Sequence, residues 1–205
     1  MALRPGSASA RRLFTSDDPA LWRLTLARYG EAVEIKENGK GGLVLLDEWY
    51  RMDFPKKIAR QESHGLMLED LVRCMDWKLK RGKFRPLMGL VKKNSDATVR
   101  AATGKAFALA RAVLPPVPSS KKRPTVYVTP AVKALTIPLK GVGPATASAL
   151  LAAANPLAFP FMADEAMEAA LGAREYTLPH YVEFTQACCA RAATLSALEM
   201  EQGGE

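Results

Sequence analysis

The stretch Leu135-Thr136-Ile137-Pro138-Leu139-Lys140-Gly141-Val142-Gly143-Pro144-Ala145-Thr146-Ala147 decides how this chain is read. Two glycines flank one aliphatic residue, with helix-forming sequence on either side. Gly141 and Gly143 lack a Cβ, so the backbone there can turn tightly and approach a partner closely. Val142 is placed to point inward and pin the turn. Pro144 suits the first position of a helix, whose free N–H groups and positive dipole end form an anion site. Leu139, Lys140, Gly141, Val142 and Gly143, followed by Ala145 and Thr146, therefore read as a phosphate-binding hairpin between two helices. Ala147, Leu150 and Leu151 are expected to pack the second helix on the first. The alternative is an ordinary helix–turn–helix joint whose glycines serve only the turn.

Outward from the hairpin the pattern is helical. Thr129-Pro130 reads as N-cap and first residue of a short helix to Leu135, and Asn155-Pro156 stops the helix begun at Pro144. Asp164 opens a further helix that Gly172 closes, and an amphipathic helix is expected over 179–198. Upstream, Asp18-Pro19 starts a helix over 20–29 with Trp22, Leu24, Leu26 and Tyr29 as its apolar side. Residues 36–42 read as a polar loop. A helix follows over 43–52, with Leu45, Leu46, Trp49 and Tyr50 for the core, and Pro55 begins another helical segment. Ser63 reads as the cap of a helix over 66–79 with the stripe Leu68, Leu71, Val72, Met75 and Leu79. Residues 96–113 are a further alanine-rich helix.

This organises the chain as a disordered or targeting segment (1–18), a helical region (19–112), a Pro/Lys-rich linker (113–125), the hairpin half (126–200) and a frayed tail (201–205). The fold class is all-α. Composition agrees: 48% of the 205 residues are hydrophobic but only 7% aromatic, and alanine and leucine favour helices over strands. No apolar run approaches the roughly 20 residues that span a bilayer, so no membrane partner is expected.

The net charge is +8, which attracts polyanions. Lys78, Lys80, Arg81, Lys83 and Arg85 head a basic segment over 78–105 whose only acid is Asp96. Clustering of this kind suits phosphate contacts, and Phe84 within it can stack on a base or be buried. Trp49 and Trp77 are read as core.

Cys74, Cys188 and Cys189 are too few for a disulfide framework or a four-cysteine cluster, and His64 and His180 have no ligand spacing; no structural metal is expected. A reducing, intracellular compartment fits. The triplet Lys121-Lys122-Arg123 has the composition of a nuclear-import signal and equally of a solvated loop. The first sixteen residues, with Arg4, Arg11 and Arg12 and no acid, have that of an organelle transit peptide. Nuclear placement is the expectation, with an organelle as the alternative.

Leu139, Gly141, Val142, Gly143 and Ala147 together resemble the hairpin of the helix-hairpin-helix DNA glycosylase superfamily, of the endonuclease III and adenine-mismatch glycosylase type. The resemblance covers roughly residues 129–172. It extends to the loop Asn155–Ala163 and to Asp164, which stands 21 positions beyond Gly143, where that family carries its catalytic aspartate. The segments 77–86 and 161–166 also resemble a poorly characterised eukaryotic branch of it. The resemblance implies a two-lobed helical fold, double-stranded DNA as partner, and base excision in which Asp164 steadies positive charge on the sugar while water attacks. It implies no cofactor beyond a monovalent cation at the hairpin carbonyls. Ala145 stands where bifunctional members carry a lysine nucleophile, so the resemblance implies no lyase activity. The family's usual polar pair after the aspartate is replaced by Glu165-Ala166. Two alternatives stay open: a hairpin module that binds DNA without catalysis, and an interaction protein whose hairpin only packs helices. Asp164 also has a plain reading as a helix cap.

Overall fold

Asp18 accepts a hydrogen bond from the Ala20 amide at 2.9 Å, and Pro19 follows as the first helical residue, as the sequence predicts. A computed structural model describes residues 7–37, 41–60, 65–113 and 125–202, and these are helical with no strand among them. The order is α1 (Ser7–Thr15), α2 (Pro19–Ala27), α3 (Tyr29–Glu37), α4 (Leu43–Glu48), a π-helical turn (Trp49–Asp53), α5 (Phe54–Arg60), α6 (Leu68–Arg81), α7 (Met88–Val91), α8 (Asp96–Arg111), α9 (Thr125–Thr136), α10 (Pro144–Ala154), α11 (Asp164–Leu171) and α12 (Leu178–Gln202). Among the described residues no helix is long and apolar enough to cross a membrane.

Several expectations are corrected. Within the segment 1–18, residues Ser7–Thr15 form α1, which packs on α11; Phe14 meets Trp22 edge to face at 6.3 Å. A nine-residue helix has little stability alone. Its support comes from a helix 150 positions away, which local composition does not reveal. Leu24 and Leu26 in α2 are exposed; Leu24 stands two positions from Trp22, which in a helix turns it to another face. The expected loop over 36–42 begins later, since α3 runs through Glu37. The helix expected over 43–52 continues through the π turn to Arg60, and Leu45 lies on its exposed side. Pro55 then falls at the second residue of α5, just past that turn.

Ser63 and His64 lie outside the described residues. α6 is capped instead by Asp70, whose carboxylate accepts from the Met67 amide at 3.2 Å. Leu71, Met75 and Leu79 are buried in the core, and Trp49 and Trp77 are core residues as read. Thr129-Pro130 does not start a helix, because Pro130 lies inside α9. The carbonyl deprived of a donor there belongs to Val126, an exposed residue, and water can satisfy it. The linker triplet 121–123 lies outside the described residues. α12 extends through Gln202, into the expected tail.

The sequence divides the chain at 113–125, yet one contiguous buried cluster draws on both sides of that division. Leu71, Met75, Val99 and Phe107 share it with Val132, Leu135, Leu150 and Tyr181. α8 packs on α9, and Asn155 ties the end of α10 to α8 by donating to the Ala110 and Val113 carbonyls at 2.9 and 3.1 Å. These contacts fix the start of α10 opposite the end of α6, which creates the site.

Candidate functional site

The turn between α9 and α10 is held from behind. Asn94, buried, receives the Lys140 amide at 2.8 Å and donates to the Lys140 and Val91 carbonyls at 3.0 and 2.8 Å. Leu139 and Val142 are buried, Val142 as the sequence predicts. The two glycines have different duties. Gly141 has φ +75°, and a Cβ there would come within 3.0 Å of both the Val91 amide nitrogen and Cγ2. Gly143 has φ −101°, and a Cβ there would meet nothing within 4 Å. Gly143 is thus not demanded by the backbone; it leaves the N-terminus of α10 uncovered. Among the described residues the Gly143 and Ala145 amides make no hydrogen bond, while the Thr146 and Ala147 amides donate to the Gly143 carbonyl at 3.0 and 2.9 Å.

Gly141→Ala is accordingly expected to lower stability by about 1–3 kcal/mol, measured by denaturant unfolding. Gly143→Leu should leave stability within about 0.5 kcal/mol yet obstruct the amides of α10. Weaker binding to DNA of any sequence is the expected readout. Unchanged affinity in a salt titration would remove this helix end from the interface.

The uncovered helix end faces a cavity of about 410 Å³. Its walls come from the end of α6 and the residues after it (Lys78, Arg81, Lys83, Arg85), from Gly143–Thr146, from Phe161–Ala163, and from Asp164 and Glu165. Lys36, Arg174 and Tyr176 complete it. Six cationic side chains thus face two carboxylates. Of the basic residues singled out in sequence, Lys80 does not line the cavity; it pairs with Asp76 at 3.3 Å. Phe84 is 74% exposed, which excludes the buried reading. Arg81 lies over the rings of Phe161 and Trp77, 5.3 and 5.9 Å from their centroids. Trp77 stacks on Tyr50 at 3.5 Å and donates its indole N–H to the buried Asp47 at 2.9 Å.

Asp164 is set by the loop before it. Ser148 Oγ accepts from the Met162 amide at 3.0 Å and donates to the Ala145 carbonyl at 3.0 Å, while Tyr181 donates to the Pro160 carbonyl at 3.1 Å. The cap of α11 is Ala163, so Asp164 is not its N-cap but its first residue. Its two oxygens are engaged separately. Tyr176 donates to Oδ1 at 2.7 Å and Arg174 to Oδ2 at 3.3 Å, with Arg174 also bound to Glu168 at 2.7 Å. Beside it, Glu165 pairs with Lys36 at 3.0 Å. Burial alone would raise the Glu165 pKa; hydrogen bonds to its own amide and to Lys36, with the Lys36 and Arg81 charges, outweigh that and lower it.

Arg174, Tyr176 and Lys36 were not singled out from the sequence. A signal for the first two existed: α11 has only eight residues and Gly172 ends it at φ +74°. A left-handed glycine after so short a helix turns the chain back toward the helix start, about 12 Å away. No comparable signal marks Lys36.

Burial first, then the hydrogen bond to Asp164 and its charge, push the Tyr176 phenol up to about 12. The folded state therefore holds this proton more tightly. The stability it contributes is complete below pH 10, the phenol's ordinary value, and is lost as pH climbs toward 12. Asp164→Asn should shift the midpoint down toward 10 without reaching it, because burial remains. Ultraviolet titration against a Tyr176→Phe background checks this. An unmoved midpoint would mean the hydrogen bond is not kept in solution.

Among the described residues no three His, Cys, Asp or Glu side chains gather as a metal set. Among the described residues the Leu139, Gly141 and Val142 carbonyls accept no hydrogen bond, whereas the Lys140 carbonyl is taken by Asn94. Comparison of this chain with family models, with curated proteins and with solved structures returned no match.

Proposed function

We propose that this protein binds double-stranded DNA with one nucleotide turned into the cleft, and that it excises the base by hydrolysis, in the manner of the two-lobed helix-hairpin-helix glycosylases it resembles. One observation carries this reading. A single cavity brings together Asp164, the uncovered start of α10 and four of the five basic residues picked from the sequence. They come from segments up to 86 positions apart.

In this reading the Gly143 and Ala145 amides and the exposed Lys83 and Arg85 hold phosphates. Phe161, with Arg81 across its face, offers a wall for a flipped base. Departure of the base leaves positive charge on the sugar. Asp164 opposes that charge and directs water to the carbon, while Arg174 and Tyr176 keep the carboxylate from turning away. A monovalent cation on the Leu139, Gly141 and Val142 carbonyls would add positive charge beside the bound phosphate. The reading places the protein with DNA, in the nucleus if the triplet 121–123 serves import.

A second reading has its own support. Both oxygens of Asp164 are already engaged within the protein, as expected of a carboxylate that orders residues 174–176 in a non-catalytic DNA-binding module. Wild-type protein incubated with duplexes carrying a panel of base lesions, scored by alkaline cleavage beside a salt titration of binding, separates the two. Base release from one lesion class supports excision. Salt-dependent binding without release supports the module. No salt-dependent binding removes DNA from both, leaving the hairpin as a packing device. Within the interface, neutralising Lys83 and Arg85 should flatten the salt slope by roughly one unit per lost phosphate contact. Lys80→Gln, outside the cavity, should not.

A further inference from the structure

α2 and α3 are poorly covered for helices that carry so much hydrocarbon. Of the nine residues of α2 only Pro19 is buried, and α3 buries none. Leu24, Leu26 and Ile35 are 67%, 69% and 76% exposed. With Leu13 of α1 they line a groove of about 600 Å³ that shares no residue with the cleft. The groove has a firm floor. Trp22 donates its indole N–H to the Ser16 carbonyl at 3.1 Å, and Tyr29 its hydroxyl to the buried Asp47 at 2.9 Å. Both rings are half-buried and line the groove. An exposed apolar patch of this kind marks a contact with another protein, and helices of nine residues have little stability alone. Projecting aliphatic side chains beside a firm aromatic floor give this one patch both the knobs and the holes that a self-complementary contact requires.

Charge points to the occupant. The chain carries +8, yet residues 11–37 hold five Arg and Lys residues against five Asp and Glu, a net charge of zero. A neutral face exerts no pull on nucleic acid or an anionic lipid surface. It also lets two copies of a basic protein meet without the repulsion that their net charges impose elsewhere. Opposite signs stand on the flanking helices. Arg12 precedes the lining residue Leu13 on α1, and Glu34 precedes the lining residue Ile35 on α3. Both are exposed, and among the described residues neither makes an ion pair.

We propose that this groove is the contact face of a homodimer. A two-fold axis seats Leu24, Leu26 and Ile35 of each copy against Trp22 and Tyr29 of the other, and brings Arg12 of each to Glu34 of the other. The inference goes beyond the DNA reading and does not rest on it. Its bearing on the cleft is direct. Ile35 lines the groove, and the next residue, Lys36, lines the cleft and pairs with Glu165. Covering the groove thus holds α3, and with it one wall of the cleft.

Sedimentation equilibrium of the full chain without DNA, from about 1 to 100 μM, reads the state directly. A monomer–dimer equilibrium is the expected result. Leu24→Asp puts a carboxylate into the contact and should weaken association roughly tenfold or more. Leu24 is exposed in a single copy, so the monomer should keep its fold, as thermal unfolding will read. Leu157→Asp, at an exposed residue outside the groove, should leave association unchanged. Arg12→Glu and Glu34→Arg should each weaken it about fivefold, since a two-fold axis makes every change twice. The chain carrying both should recover, because the pairs re-form with their signs exchanged. These variants carry the test if Leu24→Asp fails to fold. A chain that stays monomeric at every concentration overturns the proposal, and so does a dimer indifferent to Leu24→Asp. A dimer weakened by Leu24→Asp but not rescued by the double exchange keeps the groove as the interface and overturns the pairing of Arg12 with Glu34. Growth past the dimer overturns the two-fold closure.

Discussion

On the proposed excision reading, Asp164→Asn is expected to reduce base release by roughly 100- to 1,000-fold, the usual effect of removing one electrostatic stabiliser of a transition state. DNA affinity should hold or rise slightly, because the substitution removes negative charge from a cleft with six cations. The fold should survive it. Arg174 keeps its 2.7 Å bond to Glu168, and the asparagine carbonyl oxygen can still accept a hydrogen bond. Single-turnover release from the lesion identified in the panel, beside a binding titration, reads both effects. Release at the wild-type rate would show that the carboxylate only holds Arg174 and Tyr176. A joint collapse of release and binding would show that the site had been dismantled, and thermal unfolding would then locate the damage.

Gly65→Ala carries the largest expected cost in stability, about 3 kcal/mol or more. Its φ is +64°, and a Cβ would lie 2.1 Å from the Arg100 carbonyl oxygen and 2.7 Å from Thr103 Oγ1. Two backbones meet here. The Leu66 amide donates to Thr103 Oγ1 at 2.8 Å, and that hydroxyl donates to the Val99 carbonyl at 2.7 Å. The contact seats the segment leading into α6 against α8, and α6 carries Lys78 and Arg81 into the cleft. Urea unfolding should show a lower midpoint with an unchanged slope. An unaltered midpoint would mean that the approach of these helices is looser than 2.1 Å implies.

The two glycine sites show where sequence reading stops. Gly141 and Gly143 were legible as a pair because they fall between helix signals. Which one the backbone requires was not, since the answer depends on Val91 and Leu90, some fifty positions away. Gly65 left no local signal, because its need arises wholly from Arg100 and Thr103 on another helix. Likewise the run 78–85 reads as one basic patch. Its members part company in space, Lys80 turning to Asp76 and Lys78 sinking against the core.

By itself the sequence determined the helical class, the caps at Asp18 and Gly172, the start of α10 at Pro144 and the hairpin between two helices. Each depends on interactions within a turn or two of chain, where residue type and spacing act directly. Only the tertiary structure decided that α1 is a helix, that one core crosses the Pro/Lys-rich segment, and that Lys36, Arg174 and Tyr176 join Asp164 around one cavity. Those outcomes depend on which apolar faces meet and which charges are thereby withdrawn from water. Such pairings link residues far apart along the chain, and local composition carries no record of them.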